Sequence, residues 1–147
     1  MKKEDFANLS DWQIVEYFRD AAIRRAQCGF NVIKANKIFD LEMTPAYEAL
    51  AARGSASLRK LLSLTDDPSP NVREDAALFA FDADPSLCRE VLRQLIGEPG
   101  WVGIAAVAGL AHKDPEFAAE FERNARLEYE KYTQEQARRL SGDQTEN

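Results

Sequence analysis

Apolar side chains recur along this chain with the spacing of helices rather than that of strands. Cys88, Val91, Leu92 and Leu95 occupy positions i, i+3, i+4 and i+7, and the residues between them are charged or polar. No segment alternates apolar and polar positions as a half-buried strand would. The pattern therefore predicts an all-α fold of about seven helices.

Capping and helix-breaking residues divide this pattern into elements. Ser10, followed by Gln13, is a capping-box signature for the first helix, and Gly54 closes the second. Pro45 interrupts the second helix, either as a kink or as the start of a new helix after a Thr44 cap. The predicted elements of a single domain over 1–140 are a helical pair over 10–54, hairpins over 55–84 and 85–114, and a long helix over 115–140, followed by a flexible tail over 141–147.

The two predicted hairpins are related by an internal repeat with an offset of 30 residues and no gap. Each unit consists of a helix, a turn that contains proline, a second helix and then Asp-Pro. The matched positions are Arg59 with Arg89, Leu62 with Leu92, Val72 with Val102, Ala76 with Ala106, and Asp84 with Asp114. The sequence therefore predicts a stack of similar hairpins.

The second helix of the first hairpin lies within PSPNVREDAALFAF, residues 68–81, where an apolar run follows a charged turn directly. Two prolines and an asparagine favour a turn. The helix behind it is apolar over most of its circumference, as expected for a helix packed between neighbours. Its first residues include Arg73, Glu74 and Asp75, which we expect to be exposed.

This hairpin resembles a HEAT-type helical repeat, in which leucines on the first helix precede an Asp- or Pro-containing turn and a second helix that opens with Val-Arg. The second unit departs from the pattern, because Gly103 replaces Arg73 and Trp101 replaces Asn71. The resemblance implies a short HEAT-like α-α superhelix, a solenoid of helical hairpins. The residues that carry it are Leu61, Leu62, Asp66, Asp67, Pro68, Asn71, Val72, Arg73, Ala76 and Ala77.

A second resemblance covers residues 5–110. The stretches LSDWQIV (9–15), NKIF (36–39), EALAARG (48–54), LRKLLSL and NVREDAA are similar to the small bacterial HEAT-like family catalogued as domain of unknown function 2019. This resemblance implies an all-α, armadillo-like fold and carries no established activity.

Charge and composition narrow the possible partners. The net charge is −6, and the segments 1–54, 55–114 and 115–147 hold eight, six and five basic residues against eight, nine and eight acidic ones. Because no segment is basic, we expect no nucleic-acid partner. An acidic surface suits a basic protein partner, although it is also a common route to solubility.

Other features predict a cytoplasmic location. The first residues lack the apolar stretch of a signal peptide, and the apolar run at 101–111 is too short for a bilayer, so a buried helix and no membrane association are expected. Cys28 and Cys88 are 60 positions apart, which favours two reduced, buried thiols.

The sequence marks no reaction chemistry. His112, the only histidine, falls at a predicted helix end, where it complements the helix dipole. One histidine and two distant cysteines do not form a zinc set. Gly97, Gly100 and Gly103 form GxxGxxG, but no strand precedes them and Glu98 would repel an anion, so a tight turn between helices is favoured. We therefore predict no catalytic, cofactor-binding or metal-binding residues, no cofactor, and no enzymatic activity.

The predicted function is that of a non-catalytic protein-binding module. A more specific hypothesis is an immunity-type inhibitor that binds and neutralises a bacterial toxin domain, because the chain is small and acidic and solenoids offer a concave groove. The partner-binding residues predicted for it are Arg73, Glu74, Asp75, Trp101, Tyr129 and Tyr132. Packing at the edge of the core is the alternative role for Trp101. The alternatives for the two tyrosines are a homo-oligomer contact through the C-terminal helix and packing of that helix back on the solenoid.

The alternative function is a HEAT-like nucleic-acid-processing enzyme or nucleic-acid-binding protein, such as the alkylated-base glycosylases built from these repeats. It requires a basic groove with aromatic side chains, to which Arg24, Arg25 and Arg73 would contribute. The net charge disfavours it, and short basic pairs such as Arg24-Arg25 are usually solvated.

Overall fold

The computed structural model describes the backbone of residues 3–145 and the side chains of residues 5–142. All secondary structure in this part of the chain is helical, which confirms the all-α prediction. The chain divides into two compact units, residues 1–109 and 110–147. The α-helices are α1 (Asp11–Ala26), α2 (Val32–Ile38), α3 (Thr44–Ala52), α4 (Ser55–Arg59), α5 (Pro70–Phe79), α6 (Pro85–Leu95), α7 (Trp101–Lys113) and α8 (Pro115–Thr145).

Helix α1 begins at the predicted capping box. The Ser10 hydroxyl accepts from the Gln13 N–H at 3.2 Å, and the Gln13 Oε1 accepts from the Ser10 N–H at 2.8 Å. These reciprocal bonds satisfy two backbone donors that a helix start leaves without intrahelical partners. The buried side of α1 consists of Ile14, Val15, Phe18, Ala21 and Ala22.

The segment from α2 to α3 is one helical rod with a π-helical turn, Phe39–Met43, in its middle. Pro45 is the second residue of α3 and lacks an N–H, so an unbroken α-helix would lose a hydrogen bond there. The Thr44 N–H donates to the Phe39 carbonyl, five residues back. Met43 and Thr44 keep right-handed helical backbone angles, so Thr44 is not the cap that one sequence interpretation proposed.

The two predicted hairpins differ in the geometry of their first helices. In 55–84, α4 is short and continues as a 3₁₀ segment, Lys60–Asp66, before the turn to α5. In 85–114, the first helix is the regular α6, which Asp84 caps by accepting from the Leu87 N–H at 3.2 Å. Asp84 therefore caps α6, whereas the stacking of the units as a solenoid stays a prediction.

Helix α5 provides the centre of the core of the first unit. Val72 and Ala76 are fully buried, as the apolar pattern predicted. The Phe79 ring packs against three other aromatic rings, with centroid distances of 5.1 Å to Phe18, 5.0 Å to Phe39 and 5.6 Å to Tyr47. These rings come from α1, the π-helical turn and α3, so Phe79 joins α5 to the N-terminal helices.

Asp11 connects the start of α1 to two later elements. Its carboxylate accepts from Arg53 Nη1 at 2.9 Å, Lys60 Nζ at 2.8 Å and Ser57 Oγ at 2.8 Å. These three bonds hold the pKa of Asp11 far below its ordinary value. The same Arg53 donates to the Phe6 carbonyl at 2.8 Å, which fixes the N-terminal turn against the end of α3.

The turn before α5 is organised by Asp67. Arg19 Nε donates to its Oδ1 at 2.6 Å, and the Ser69 N–H donates to its Oδ2 at 2.9 Å. Arg73 Nη1 donates to the Asp67 and Pro68 carbonyls at 2.7 and 3.2 Å. Arg73 therefore stabilises the turn of its own hairpin.

The second unit consists of the end of α7 and the 31-residue helix α8. Asp114 caps α8 by accepting from the N–H groups of Glu116 and Phe117 at 3.1 and 3.3 Å. The helix extends past the predicted end at 140 to Thr145, so residues 141–145 of the predicted tail are helical, and 146–147 lie outside the described residues. Extending an existing helix gains a hydrogen bond per residue without a new nucleation cost.

Candidate functional site

A pocket of about 530 Å³ opens between α1, α2, α5 and α7 of the first unit. This volume lies within the range of small-molecule and cofactor sites, roughly 300–1,000 Å³. Its described lining is Arg25, Ala26, Gly29, Val32, Ala35, Asn36, Asn71, Glu74, Pro99, Trp101, Val102, Ile104 and Ala105. Only Arg25 and Glu74 in this set are ionisable, so the polar character of the pocket depends on these two side chains and on two asparagines.

Glu74 and Asp75 are buried, with 4% and 2% of their surfaces exposed. The prediction that they form an exposed start of α5 is therefore wrong. The cause is the position of α1, which packs on the first turns of α5 and places Arg25 over them. Glu74 lines the pocket wall, whereas Asp75 lies behind it, bound to Arg25.

Arg25 is fixed by two interactions. Its Nη1 donates to Asp75 Oδ1 at 2.8 Å, and its guanidinium lies 5.2 Å from the centroid of the Phe39 ring. The neighbouring Arg24 binds Glu42 through both terminal nitrogens, at 3.0 and 2.5 Å. The Arg24-Arg25 pair is therefore not a solvated face; each member forms an ion pair with a different helical segment.

The carboxyl groups of Glu74 and Asp75 differ in their partners. Burial raises the pKa of Glu74 to about 8, and the Asp75 charge adds to this effect. Burial also raises the pKa of Asp75 to about 7, and Arg25 opposes that rise. Because Arg25 bonds directly to Asp75, we assign the negative charge to Asp75 and the proton to Glu74 at neutral pH.

The mouth of the pocket is apolar and exposed. Phe30 and Trp101 pack edge to face with centroids 6.2 Å apart, although 88% of Phe30 and 55% of Trp101 are exposed. Val32 and Ile104, which line the same pocket, are also more than half exposed. Trp101 lines the pocket while more than half exposed, so its position lets it contact a bound molecule.

The six residues predicted to bind a partner thus occupy different environments. Glu74 and Trp101 line the same pocket. Asp75 supports the pocket through Arg25, and Arg73 is bound to carbonyls of its own turn. Tyr129 and Tyr132 are exposed on α8, in the second unit.

Sequence reasoning missed three residues of this site. Arg25 was assigned to a solvated surface, because its partner Asp75 is fifty residues away along the chain. Phe30 and Val32 flank the Asn31 cap of α2, and their apolar character immediately after a turn was the available signal. An apolar side chain at an exposed helix start is difficult to distinguish from an ordinary surface residue.

The other residues that the sequence offered for chemistry are the GxxGxxG glycines, His112 and the two cysteines. Gly103 of the GxxGxxG motif lies in the first turn of α7, where a Cβ atom would collide with the Glu98 carbonyl oxygen, which agrees with the predicted tight turn. His112 lies in the last turn of α7. Cys88 is a buried thiol, whereas Cys28 is only partly buried.

Neither a metal site nor a membrane span was found in the part of the chain that the structure describes. No group of three or more potential metal ligands occurs there, and no described helix combines the length and hydropathy needed to cross a bilayer. Comparisons of the chain with protein families, curated proteins and solved structures give no match. The site must therefore be interpreted from its own geometry.

Proposed function

We propose that this chain is a non-catalytic protein-binding module that uses the pocket between α1, α2, α5 and α7 as its binding surface. The more specific proposal is an immunity-type inhibitor that binds and neutralises a bacterial toxin domain. The observation that carries the proposal is the exposed apolar lining of this pocket at Val32, Trp101 and Ile104, together with the exposed Phe30 ring that packs against Trp101.

The composition of this apolar surface supports a protein partner. Exposed aromatic side chains next to a pocket are typical of interface hot spots, where a large ring loses water on both sides when a partner covers it. Phe30 is mostly exposed, yet it already contacts Trp101, so the two rings form a preorganised surface rather than two separate side chains. Preorganisation lowers the entropic cost of binding.

The charge distribution supports a basic partner over a nucleic acid. The chain has a net charge of −6, which favours encounter with a positively charged protein. The three arginines that a nucleic-acid site would require have internal partners: Arg24 binds Glu42, Arg25 binds Asp75, and Arg73 binds turn carbonyls. Nucleic-acid phosphates would have to compete with these bonds.

The fold proposal is a short HEAT-like stack related to the bacterial family catalogued as domain of unknown function 2019. Support comes from the turn before α5, where Asp67 and Arg73 organise the connection, and from the small, buried Ala76 and Ala77. Small side chains allow the neighbouring helices to approach closely.

The chain offers a matched pair of variants for testing the proposal. Trp101 and Trp12 are 55% and 56% exposed, but only Trp101 lines the pocket. Tagged wild-type protein, Trp101→Ser and Trp12→Ser would be used to capture proteins from the native host. The captured proteins would be quantified by mass spectrometry, and each candidate would then be purified and its affinity measured by calorimetry.

The proposal predicts a basic protein that binds wild type and Trp12→Ser equally and binds Trp101→Ser at least about tenfold more weakly, as expected for loss of a hot-spot side chain. If that protein arrests growth when expressed alone, co-expression of this chain should restore growth. Equal binding by all three variants would exclude the pocket as the binding surface. Salt-dependent binding of duplex DNA in place of a protein would favour the nucleic-acid alternative.

A further inference from the structure

Glu74 lines the pocket, and in the described part of the chain one oxygen of its carboxyl group has no hydrogen-bond partner. Its Oε2 is buried and has no hydrogen-bond partner among the described residues, and only 4% of the residue is exposed. A buried polar atom without a partner costs free energy and is uncommon in folded proteins. In a pocket wall, such an atom indicates the chemistry of the molecule that the pocket accepts.

The balance of charges around Glu74 favours the binding of a cation. Its ionisable neighbours are Asp75 on the same helix and Arg25 on α1. The pocket-lining residues from α2 and α7 contribute no charge. Arg25 Nη1 bonds Asp75 at 2.8 Å, so one positive charge faces two acids. When Glu74 is ionised, this group of three side chains carries one net negative charge.

We propose that the pocket binds the guanidinium or ammonium head group of one arginine or lysine side chain of the protein partner, which donates to the Glu74 carboxylate. This inference rests on the proposed function, since it specifies the side chain by which the partner is held. The aliphatic walls at Val32, Ala35 and Ala105 suit the methylene stem of such a side chain. The Trp101 ring at the mouth adds a cation–π surface.

Binding of the cation transfers a proton from Glu74 to the solvent. In the free protein at neutral pH, Glu74 carries a proton because its pKa is about 8. The incoming cation replaces that proton: the carboxyl O–H bond breaks, the carboxylate pairs with the cation, and buffer accepts the proton. Affinity should therefore increase as the pH rises from about 6 to about 8, by up to about tenfold per pH unit. It should level off above about pH 8.

Binding of the head group to the pocket can be tested with small molecules, without the partner protein. The probes are n-butylguanidinium, n-butylammonium and, as a neutral analogue of the same length, n-butanol. Binding to the full chain would be followed by the chemical shifts of Trp101 and by calorimetry in two buffers of different ionisation enthalpy. We expect both cations to bind, butanol to bind at least about tenfold more weakly, and the calorimetry to report proton release near pH 7.

Two variants test whether the cation binds to Glu74 itself or is attracted by any acidic residue of the protein. Glu74→Gln keeps the shape of the side chain but cannot ionise, whereas Glu48→Gln removes one exposed carboxylate elsewhere in the same unit. In Glu74→Gln, cation binding and its pH dependence should both be lost. In Glu48→Gln, both should be retained. The pH series on the wild-type protein tests the same idea if the Glu74 variant does not fold.

Each other outcome contradicts a specific part of the inference. Equal binding of butanol and the cations would mean that the pocket recognises only the apolar stem. Unchanged binding in Glu74→Gln, or no pH dependence, would exclude Glu74 as the acceptor. Spermidine binding far more tightly than a short arginine peptide would identify a free polyamine as the occupant and overturn assignment to a partner side chain.

The inference and the proposed function can fail separately. If a partner protein is captured through Trp101 but the cation probes do not bind, the head-group assignment is wrong and the protein-binding function stands. If the probes bind as expected and no partner depends on Trp101, the proposed function fails, and so does the assignment of the occupant to a partner side chain.

Discussion

Replacing Glu74 with glutamine should stabilise the protein at alkaline pH and reduce the pH dependence of its stability. In the unfolded chain this carboxyl ionises around its ordinary pKa of 4.5, whereas in the folded protein it keeps its proton up to about pH 8. Between these values the folded state binds more protons than the unfolded state, so the free energy of unfolding decreases as pH rises. The loss from Glu74 alone amounts to about 3 kcal/mol between about pH 5.5 and about pH 8.5.

The measurement is urea unfolding followed by far-ultraviolet circular dichroism at both pH values, for wild type, Glu74→Gln and Glu48→Gln. Glu48 is exposed on α3, so its substitution should leave the pH difference unchanged. Glu74→Gln should reduce the difference by about 3 kcal/mol and be the more stable protein at the higher pH. Asp75, whose pKa burial also raises, contributes to the remaining pH dependence. Equal pH dependence in wild type and Glu74→Gln would show that Glu74 is already ionised in the folded state, which would refute the assignment of its proton.

Three further predictions concern other parts of the first unit. Gly103→Ala should destabilise the protein by about 2 kcal/mol, because its Cβ would meet a backbone carbonyl oxygen that cannot rotate away. In the control, Gly97→Ala, the added Cβ lies in open space and should not destabilise the protein. Equal unfolding midpoints for the two variants would contradict this prediction. Arg25→Met should cost about 3–5 kcal/mol in urea unfolding, because it leaves a buried carboxylate without its cation; a loss below about 1 kcal/mol would indicate a neutral carboxyl. Iodoacetamide should modify Cys28 before Cys88 in the folded protein, because burial raises the pKa of the Cys88 thiol to about 11. Labelling of the native protein would be followed by mass spectrometry, and equal labelling of the two cysteines would refute this prediction.

Much of the local structure could be predicted because its causes are local in sequence. The capping box at Ser10 and the Asp84 cap each depend on residues three positions apart, and the buried face of α6 follows from helical periodicity. The end of α8 was predicted less well, since no proline or other strong breaker follows Leu140. Helix continuation there depends on small differences in propensity along an exposed surface.

The site could be predicted only in part because its contacts are distant in sequence. Trp101 was identified from its position at the start of α7. The burial of Glu74 and Asp75 could not be recognised, because charged residues in the first turns of a helix are normally solvated. Burial here follows from α1 packing on α5, and the relevant ion pair joins residues 25 and 75. Because Arg25 is bound to the buried Asp75, reversing the charge of Arg25 would disrupt the core. Such a variant is therefore a poor test of nucleic-acid binding.

The exposure of both tryptophans determines what the intrinsic fluorescence of the protein can report. The chain has two tryptophans, and Trp12 and Trp101 are each more than half exposed in the folded state. Unfolding therefore changes the solvent contact of the indole rings little, and the emission spectrum should be a weak indicator of denaturation. A partner that covers the pocket would instead remove water from Trp101. In a Trp12→Phe background, a shift of the emission to shorter wavelengths would report occupancy of the pocket alone.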